Sequence, residues 1–294
     1  SKAVALSGTA AVLAAALDGT VTDAAGDKIE GNVTISNTPT EAQLKTINDG
    51  TTASIQIPAA NQTFTGTAAV LAAALTGTVT GPLAAALSGA VSVSDGVGES
   101  VAATLLSTIA TGTSGTVTVG AAINITGTAD QVVAALDTNG VVASTATITL
   151  DDTPTVTELQ TLNGKTSGAI KIANGAITYS ANADVLAAAL DGTVTDGSGN
   201  SLTGNMTIAA AGGNPNATQL QTINNATTGT VFVPAKAVDL TGTRAVLVEA
   251  LAGTVTDAAN DKITGTVTLT AAGGDPTAAQ LKILNDSIDG AIKV

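Results

Sequence analysis

Three loops in this chain carry oxygen-rich side chains at a spacing that suits a hard cation. They read Asp23-Ala-Ala-Gly26-Asp27-Lys28-Ile29, Asp196-Gly-Ser-Gly199-Asn200-Ser201-Leu202 and Asp257-Ala-Ala-Asn260-Asp261-Lys262-Ile263. In each, two oxygen ligands (Asp23 and Asp27, Asp196 and Asn200, Asp257 and Asp261) stand four residues apart around a small-residue turn. Calcium takes roughly six to eight such oxygens, and no Gly-x5-Glu ending follows to complete a known loop. The rival reading is an Asx-type turn, in which Asp and Asn hydrogen-bond their own backbone. Calcium is the one cofactor the residues raise.

Other chemistry is excluded by composition. There is no Cys, His or Trp, which removes thiolate chemistry, Cys/His zinc sites, disulfides and imidazole acid–base catalysis. Ser and Thr hydroxyls are plentiful, but no His and no Lys beside an acid pair activates them. Gly212-Gly213-Asn214-Pro215 and Gly273-Gly274-Asp275-Pro276 precede helical patterns without the Lys and Ser/Thr of a phosphate loop, so they read as helix-entry loops. Asn-x-Ser/Thr triplets at Asn32, Asn61, Asn124 and Asn205 follow from a Thr-rich composition, and Arg244 reads as a solvated helix residue. The expectation is a protein that is not an enzyme.

The net charge of −13, from 23 acidic and 10 basic residues, repels phosphates and anionic membranes. The lysines, such as Lys28, Lys45, Lys165 and Lys282, are scattered singly. Residues 62–94 carry no charge, yet Gly77, Gly81, Pro82 and Gly89 interrupt them, and a membrane helix needs about 20 apolar residues. Neither nucleic acid binding nor membrane insertion is expected.

The elements that position these residues come from repetition. Gly8-Thr9-Ala10-Ala11-Val12-Leu13, leading to Leu17, recurs from Gly66 to Leu75, Gly127 to Leu136, Asn182 to Leu190 and Gly242 to Leu251. Leu17 and Leu251 are 234 residues apart over four steps, a mean period of 58.5. A second phrase alternates with it: Gln43-Leu44-Lys45-Thr46-Ile47-Asn48, Leu159-Gln160-Thr161-Leu162-Asn163, Gln219-Leu220-Gln221-Thr222-Ile223-Asn224 and Gln280-Leu281-Lys282-Ile283-Leu284-Asn285, with a degenerate copy at Leu105–Ile109. Thr9, Leu13 and Gly19 match Thr40, Leu44 and Gly50 at an offset of 31, so the unit is about 30 residues. Ten units form five pairs, approximately 1–61, 62–122, 123–175, 176–236 and 237–294.

Within a unit, Thr9, Thr40, Thr67, Thr243, Thr277 and Asn182 are N-caps. Pro39, Pro154, Pro215 and Pro276 mark helix entry, and Gly19, Gly77, Gly192 and Gly253 stop the helix. Two Thr/Val/Ile runs follow, as in Ala169–Ile172 and Ala176–Tyr179 around Asn174-Gly175, or Thr230–Val233 and Val238–Leu240 around Pro234–Lys236; both read as hairpins. Strands about 4.8 Å apart make a hairpin about as wide as one helix, since packed helices lie about 8–10 Å apart. The expected fold is therefore an α/β repeat array of helix–strand–turn–strand units, one continuous sheet with short helices on one face and Thr outward. A triangular β-solenoid with a short helix per coil is the alternative. Hydrophobic residues make up 44% and aromatics only 1% (Phe64, Phe232, Tyr179), so the core is thin and aliphatic.

Ala3–Leu6 and Ala291–Val294 read as opposite halves of one hairpin, and no signal peptide stands at Ser1-Lys2-Ala3. A mature form or an excerpt of a longer array is expected, with subunits joining head to tail by strand complementation. The phrases Ser-Gly-Thr-Ala-Ala-Val-Leu-Ala-Ala-Ala-Leu-Asp-Gly-Thr-Val-Thr-Asp and Gln-Leu-Lys-Thr-Ile-Asn resemble the long repeat regions of cyanobacterial and proteobacterial surface proteins of S-layer, adhesin and haemolysin type. That resemblance implies secretion to the cell surface, a scaffold or adhesion role among other surface or matrix components, and calcium. The Gly-Gly-x-Gly-x-Asp nonapeptides of the calcium-binding members are missing here. Fibre, sheath, S-layer or adhesin stalk is the expected role, a calcium- or ligand-binding adhesion module the alternative.

Overall fold

Most helices begin at a Thr or Asn cap, Ala103–Thr111 after Ala102 being an exception. The helices are α1 (Ala10–Leu17), α2 (Glu41–Gly50), α3 (Ala68–Leu75), α4 (Ala103–Thr111), α5 (Ala129–Val133), α6 (Val156–Asn163), α7 (Ala183–Leu190), α8 (Ala217–Ala226), α9 (Arg244–Leu251) and α10 (Ala278–Ser287). Thr9, Asn182 and Thr243 accept the N–H of the third helical residue, whereas Thr67 caps by position alone. Thr40/Gln43, Thr155/Glu158, Asn216/Gln219 and Thr277/Gln280 close reciprocal capping boxes, which satisfy two orphan backbone donors at once. Pro39, Pro154, Pro215 and Pro276 sit one residue before the cap, outside the helix.

The computed structural model describes residues 3–19, 21–22, 26–272 and 274–294, as an α/β chain with several all-parallel sheets and ten α-helices. The chain divides into two compact bodies. One runs to Gly127 and includes Gln131–Thr147; the other is Thr128–Asp130 with Ile148–Val294.

In the first body one sheet has the order β1 (Leu6–Gly8), β2 (Val33–Ile35), β3 (Ile55–Gln56), β5 (Val79–Thr80). A second is β4 (Phe64–Gly66), β6 (Val91–Val93), β8 (Val117–Val119), and β7 (Ser100–Ala102) pairs with β9 (Asn124–Gly127). The second body holds β10 (Thr147–Leu150), β11 (Ile170–Ile172), β13 (Val194–Asp196), then β12 (Tyr179–Ala181), β14 (Met206–Ile208), β15 (Val231–Val233), β17 (Val255–Asp257), and β16 (Leu240–Gly242), β18 (Val267–Leu269), β19 (Ile292–Lys293).

The expected hairpins do not form. β11 and β12, the two runs around Asn174-Gly175, lie in different sheets, as do β15 and β16. Asn174 Oδ1 accepts the Ala176 N–H at 3.1 Å, making an Asx turn, and Asp196 of the following strand lies against Gly175, whose Cβ would meet it at 2.7 Å. The chain therefore turns a corner there instead of doubling back. Each strand pairs with its counterpart 22–27 residues along, so like stacks on like: Leu6, Val33, Ile55 and Val79 form one row, Met206, Val231 and Val255 another. Helix and corner supply the long crossover that parallel pairing requires. Ala3–Leu6 and Ala291–Val294 are likewise not halves of a hairpin; β1 and β19 are outer strands of two parallel sheets.

Packing holds successive strands and helices close. The inward row and the helix leucines form the core, with Leu44, Ile47, Leu106, Ile109, Leu159 and Leu220 all fully buried; each such side chain contributes about 1.5–3 kcal/mol. Thr227 Oγ1 donates to Gly204 O at 2.6 Å and accepts the Gly229 N–H at 2.9 Å. A Cβ on Gly229 would fall 2.5 Å from Gly204 O, so only glycine admits this approach.

Candidate functional site

The acidic turns are built by the strands that lead into them. β13 ends at Asp196, whose backbone N–H donates to Asn200 O at 2.8 Å while its own carbonyl accepts from Gly199 at 3.0 Å. Asp196 Oδ1 accepts the N–H groups of Ser198 and Asn200 at 2.9 and 2.8 Å. The N–H of Asn200 is the largest of the bonds that hold this carboxyl below its ordinary range. Asp257 repeats the design: Oδ1 accepts from Ala259 and Asp261, both at 2.9 Å. Asp261 Oδ2 in turn lies 2.8 Å from Lys236 Nζ, which raises the lysine's affinity for its proton. Asp27 precedes Lys28, which forms an antiparallel bridge with Thr22; Asp23 lies outside the described residues. The structure thus places Asp196 with Asn200 and Asp257 with Asp261, each as an Asx turn. Among the described residues no three acidic side chains gather as a metal group.

One carboxyl pair stands apart. Asp130 and Glu158 hydrogen-bond each other, which raises the Asp130 pKa. Glu158 is lowered overall, because bonds from Thr155 outweigh its desolvation; the Thr155 N–H lies 2.7 Å from its Oε2. Nearby, burial first and Glu158 second raise the Tyr179 phenol, whose hydroxyl is buried without a partner. Glu158 serves as a capping-box residue and Asp130 lies at the surface, so the pair stands in an open setting. Arg244 is not merely solvated: its guanidinium donates to the Asp275 carbonyl.

The most regular polar device passed without a role in the sequence reading, although its signal was there: the Asn that closes each second phrase. Asn48 Nδ2 donates to Ala73 O and Thr76 O, both at 2.7 Å. Asn163 reaches Ala188 O at 3.0 Å and Asp191 O at 2.5 Å. Asn224 reaches Glu249 O at 2.8 Å and Ala252 O at 2.7 Å. In each case a helix of the second type clasps carbonyls at the end of the following helix, where the intrahelical ladder runs out of donors. Gly77, Gly192 and Gly253, at φ +82°, +77° and +110°, turn the chain away beside the clasp; a Cβ there would lie 3.7, 3.6 and 3.4 Å from the Asn Oδ1. The arrangement fastens each of these helices to the next.

No helix among the described residues is long and apolar enough to cross a membrane. No protein-family model, curated protein or solved structure matches the chain.

Proposed function

We propose that this chain is a structural repeat segment of a bacterial surface or extracellular matrix assembly: a fibre, sheath, S-layer or adhesin stalk. On this reading each compact body is a solenoid-like stack of coils, each carrying one short helix. The observation that carries the proposal is the recurrence of one fastening, the Asn clasp, at Asn48, Asn163 and Asn224. The side chains with chemical potential are engaged by neighbouring backbone, as Asp196, Asp257 and Thr227 are. Selection for reaction gathers converging, perturbed groups in a cleft; selection for a scaffold repeats one contact many times.

Immunogold labelling of the source cells tests it. Label should follow the cell surface or extracellular material; label confined to the cell interior overturns the reading. Chelator should leave the melting temperature unchanged, and a fall restored by calcium would instead favour the adhesion module with a cation.

A further inference from the structure

The outer face of β2, β3 and β5 differs from its counterparts in what it leaves unbonded. Val33, Ile55 and Val79 turn into the core, so the residues on either side of each turn out. In register they make two rows, Asn32, Ser54, Thr78 and Thr34, Gln56, Thr80. Strands lie about 4.8 Å apart and the rows about 6.6 Å, a small grid of hydroxyls and carboxamides. Gln56 and Thr80 are half-buried and the other four exposed; among the described residues none of the six side chains has a hydrogen-bond partner. They line a groove of about 230 Å³ with Ala84 on its rim. Elsewhere the same positions are committed. Asn205, at the register position of Asn32, accepts the Thr230 N–H with Oδ1 at 2.9 Å, and Asp239 takes the Thr266 N–H at 2.7 Å. At the Gln56 position β11 and β15 carry Lys171 and Phe232.

The rim follows the plan of the acidic turns without their acid. The Gly81 N–H donates to Ala85 O at 2.8 Å, the closure that also joins Asp196 to Asn200 and Asp257 to Asp261. Gly81 stands in place of the aspartate, and a Cβ on it would fall 2.4 Å from that of Ala60. Leu83 and Ala84 sit at φ +56° and +59°, where a Cβ is crowded, with no Asx bond to hold the turn. Strain of this kind gathers at ligand clamps. Leu83 is 98% exposed. Rim and floor alike are uncharged: no charged residue stands between Asp49 and Asp95, in a chain of net charge −13.

We propose that this face binds a neutral glycan, one sugar unit seated in the groove and the rest of the glycan lying along the open sheet. Hydroxyls and carboxamides both donate and accept, as sugar hydroxyls do, and an ionic ligand would find no opposite charge to offset its desolvation. Leu83 and Ala84 offer apolar surface to the C–H face of the ring. The groove is smaller than the roughly 300–1,000 Å³ that encloses a whole ligand, which suits one unit of a longer chain. The site goes beyond the scaffold reading and does not depend on it.

Nuclear magnetic resonance on the isotope-labelled 294-residue chain tests it, with short oligosaccharides of glucose, mannose and galactose as neutral probes and oligogalacturonate as the charged one. Amide signals of residues 32–34, 54–56 and 78–85 should move with at least one neutral probe at millimolar concentration and stay still with oligogalacturonate. Gln56→Lys, which copies Lys171 of β11, should weaken that binding about tenfold or more, as loss of a paired hydrogen bond implies, with the melting temperature unchanged. Thr207→Val, on the outer face of β14, should leave it unaltered. Silence of these amides toward every neutral probe, movement only elsewhere in the chain, or affinity indifferent to Gln56→Lys overturns the site. Surface label on the cells with no sugar bound would retain the scaffold reading and reject this site; sugar bound here with label confined to the cell interior would do the reverse.

Discussion

Two helix contacts in the first body, α2 with α3 and α4 with the turn Ala134–Thr138, solve the same problem differently. α2 and α3 are clasped: Asn48 takes the carbonyls of Ala73 and Thr76, and Gly77 turns the chain two residues after Leu75. α4, which packs on the turn Ala134–Thr138 that continues α5, carries Ala110 where the clasp would be, beneath the equivalent leucine and isoleucine, Leu106 and Ile109. There the helix runs on as a π-turn through Ala134–Thr138. The Asn139 N–H donates to Ala134 O at 2.8 Å and the Val141 N–H to Ala135 O at 3.1 Å, before Gly140 at φ +67°. The carbonyls at a helix end must find donors. A neighbour's carboxamide supplies them in one pair, the chain's own widened turn in the other. The clasp is thus separable from the stack, which the aliphatic core holds in both.

The largest effect tests that separation. Leu44→Ala and Leu106→Ala remove fully buried side chains from the clasped and unclasped pair, and each should cost about 2–5 kcal/mol. Urea midpoints that differ strongly between them would show that the clasp, not the core, holds α2 to α3. Next come the clasps themselves. Asn224 is buried and loses two bonds, so Asn224→Ala should cost about 1–3 kcal/mol. Asn48→Ala and Asn163→Ala, at half-buried sites, should fall at the low end of that range. Equal losses at all three would remove burial as the variable.

Ala110→Asn runs the comparison in reverse. Of the acceptors that correspond to Ala73 O and Thr76 O, Ala134 O and Asp137 O, the first already receives the Asn139 N–H, so the change should stay within about 0.5 kcal/mol, as for substitutions that touch no special feature. A clear rise in the urea midpoint would mean that the π-turn reverts to the α-helical ending and accepts the new carboxamide.

How much of this was legible follows from what repeats locally and what depends on distance. Caps at Thr9, Thr40 and Asn182, the leucine face and the glycine stops are local signals, and they stand where the sequence put them. The pairing of strands is not local. Ile170–Ile172 and Tyr179–Ala181 alternate as hairpin arms do, and only the row of apolar counterparts 22–27 residues away decides for parallel stacking. Two strand runs per helix are legible in the residue pattern, but that count is indifferent to strand direction, and the spacing argument that favoured hairpins on one continuous sheet fails against several separate parallel sheets. The clasp was visible as an Asn at the end of every regular second phrase, yet its acceptors lie 25 and 28 residues onward, beyond any window of helical or strand period.

The smallest effect sets a fastening inside one turn against those between helices. Asp196 closes its own turn, and the N–H groups of Asn200 and Ser198 with the Asn200 amide hold its carboxyl below the ordinary range. Because the folded value is the lower one, the turn's contribution is present above the unfolded carboxylate value of about 3.9 and is lost as pH falls through the folded one. Asp196→Asn keeps an oxygen for the two N–H groups and removes the charge. It should therefore loosen the turn slightly at neutral pH and match the wild type once acid has protonated Asp196. Amide exchange read at Ser198, Gly199 and Asn200 across that range makes the check. The difference should stay inside the turn, since these bonds join residues 196–200 alone, whereas loss of Asn224 should also speed exchange at the end of α9. If Asp196→Asn also loosened α7 or α8, the acidic turns would belong to the same inter-helix fastening as the clasps.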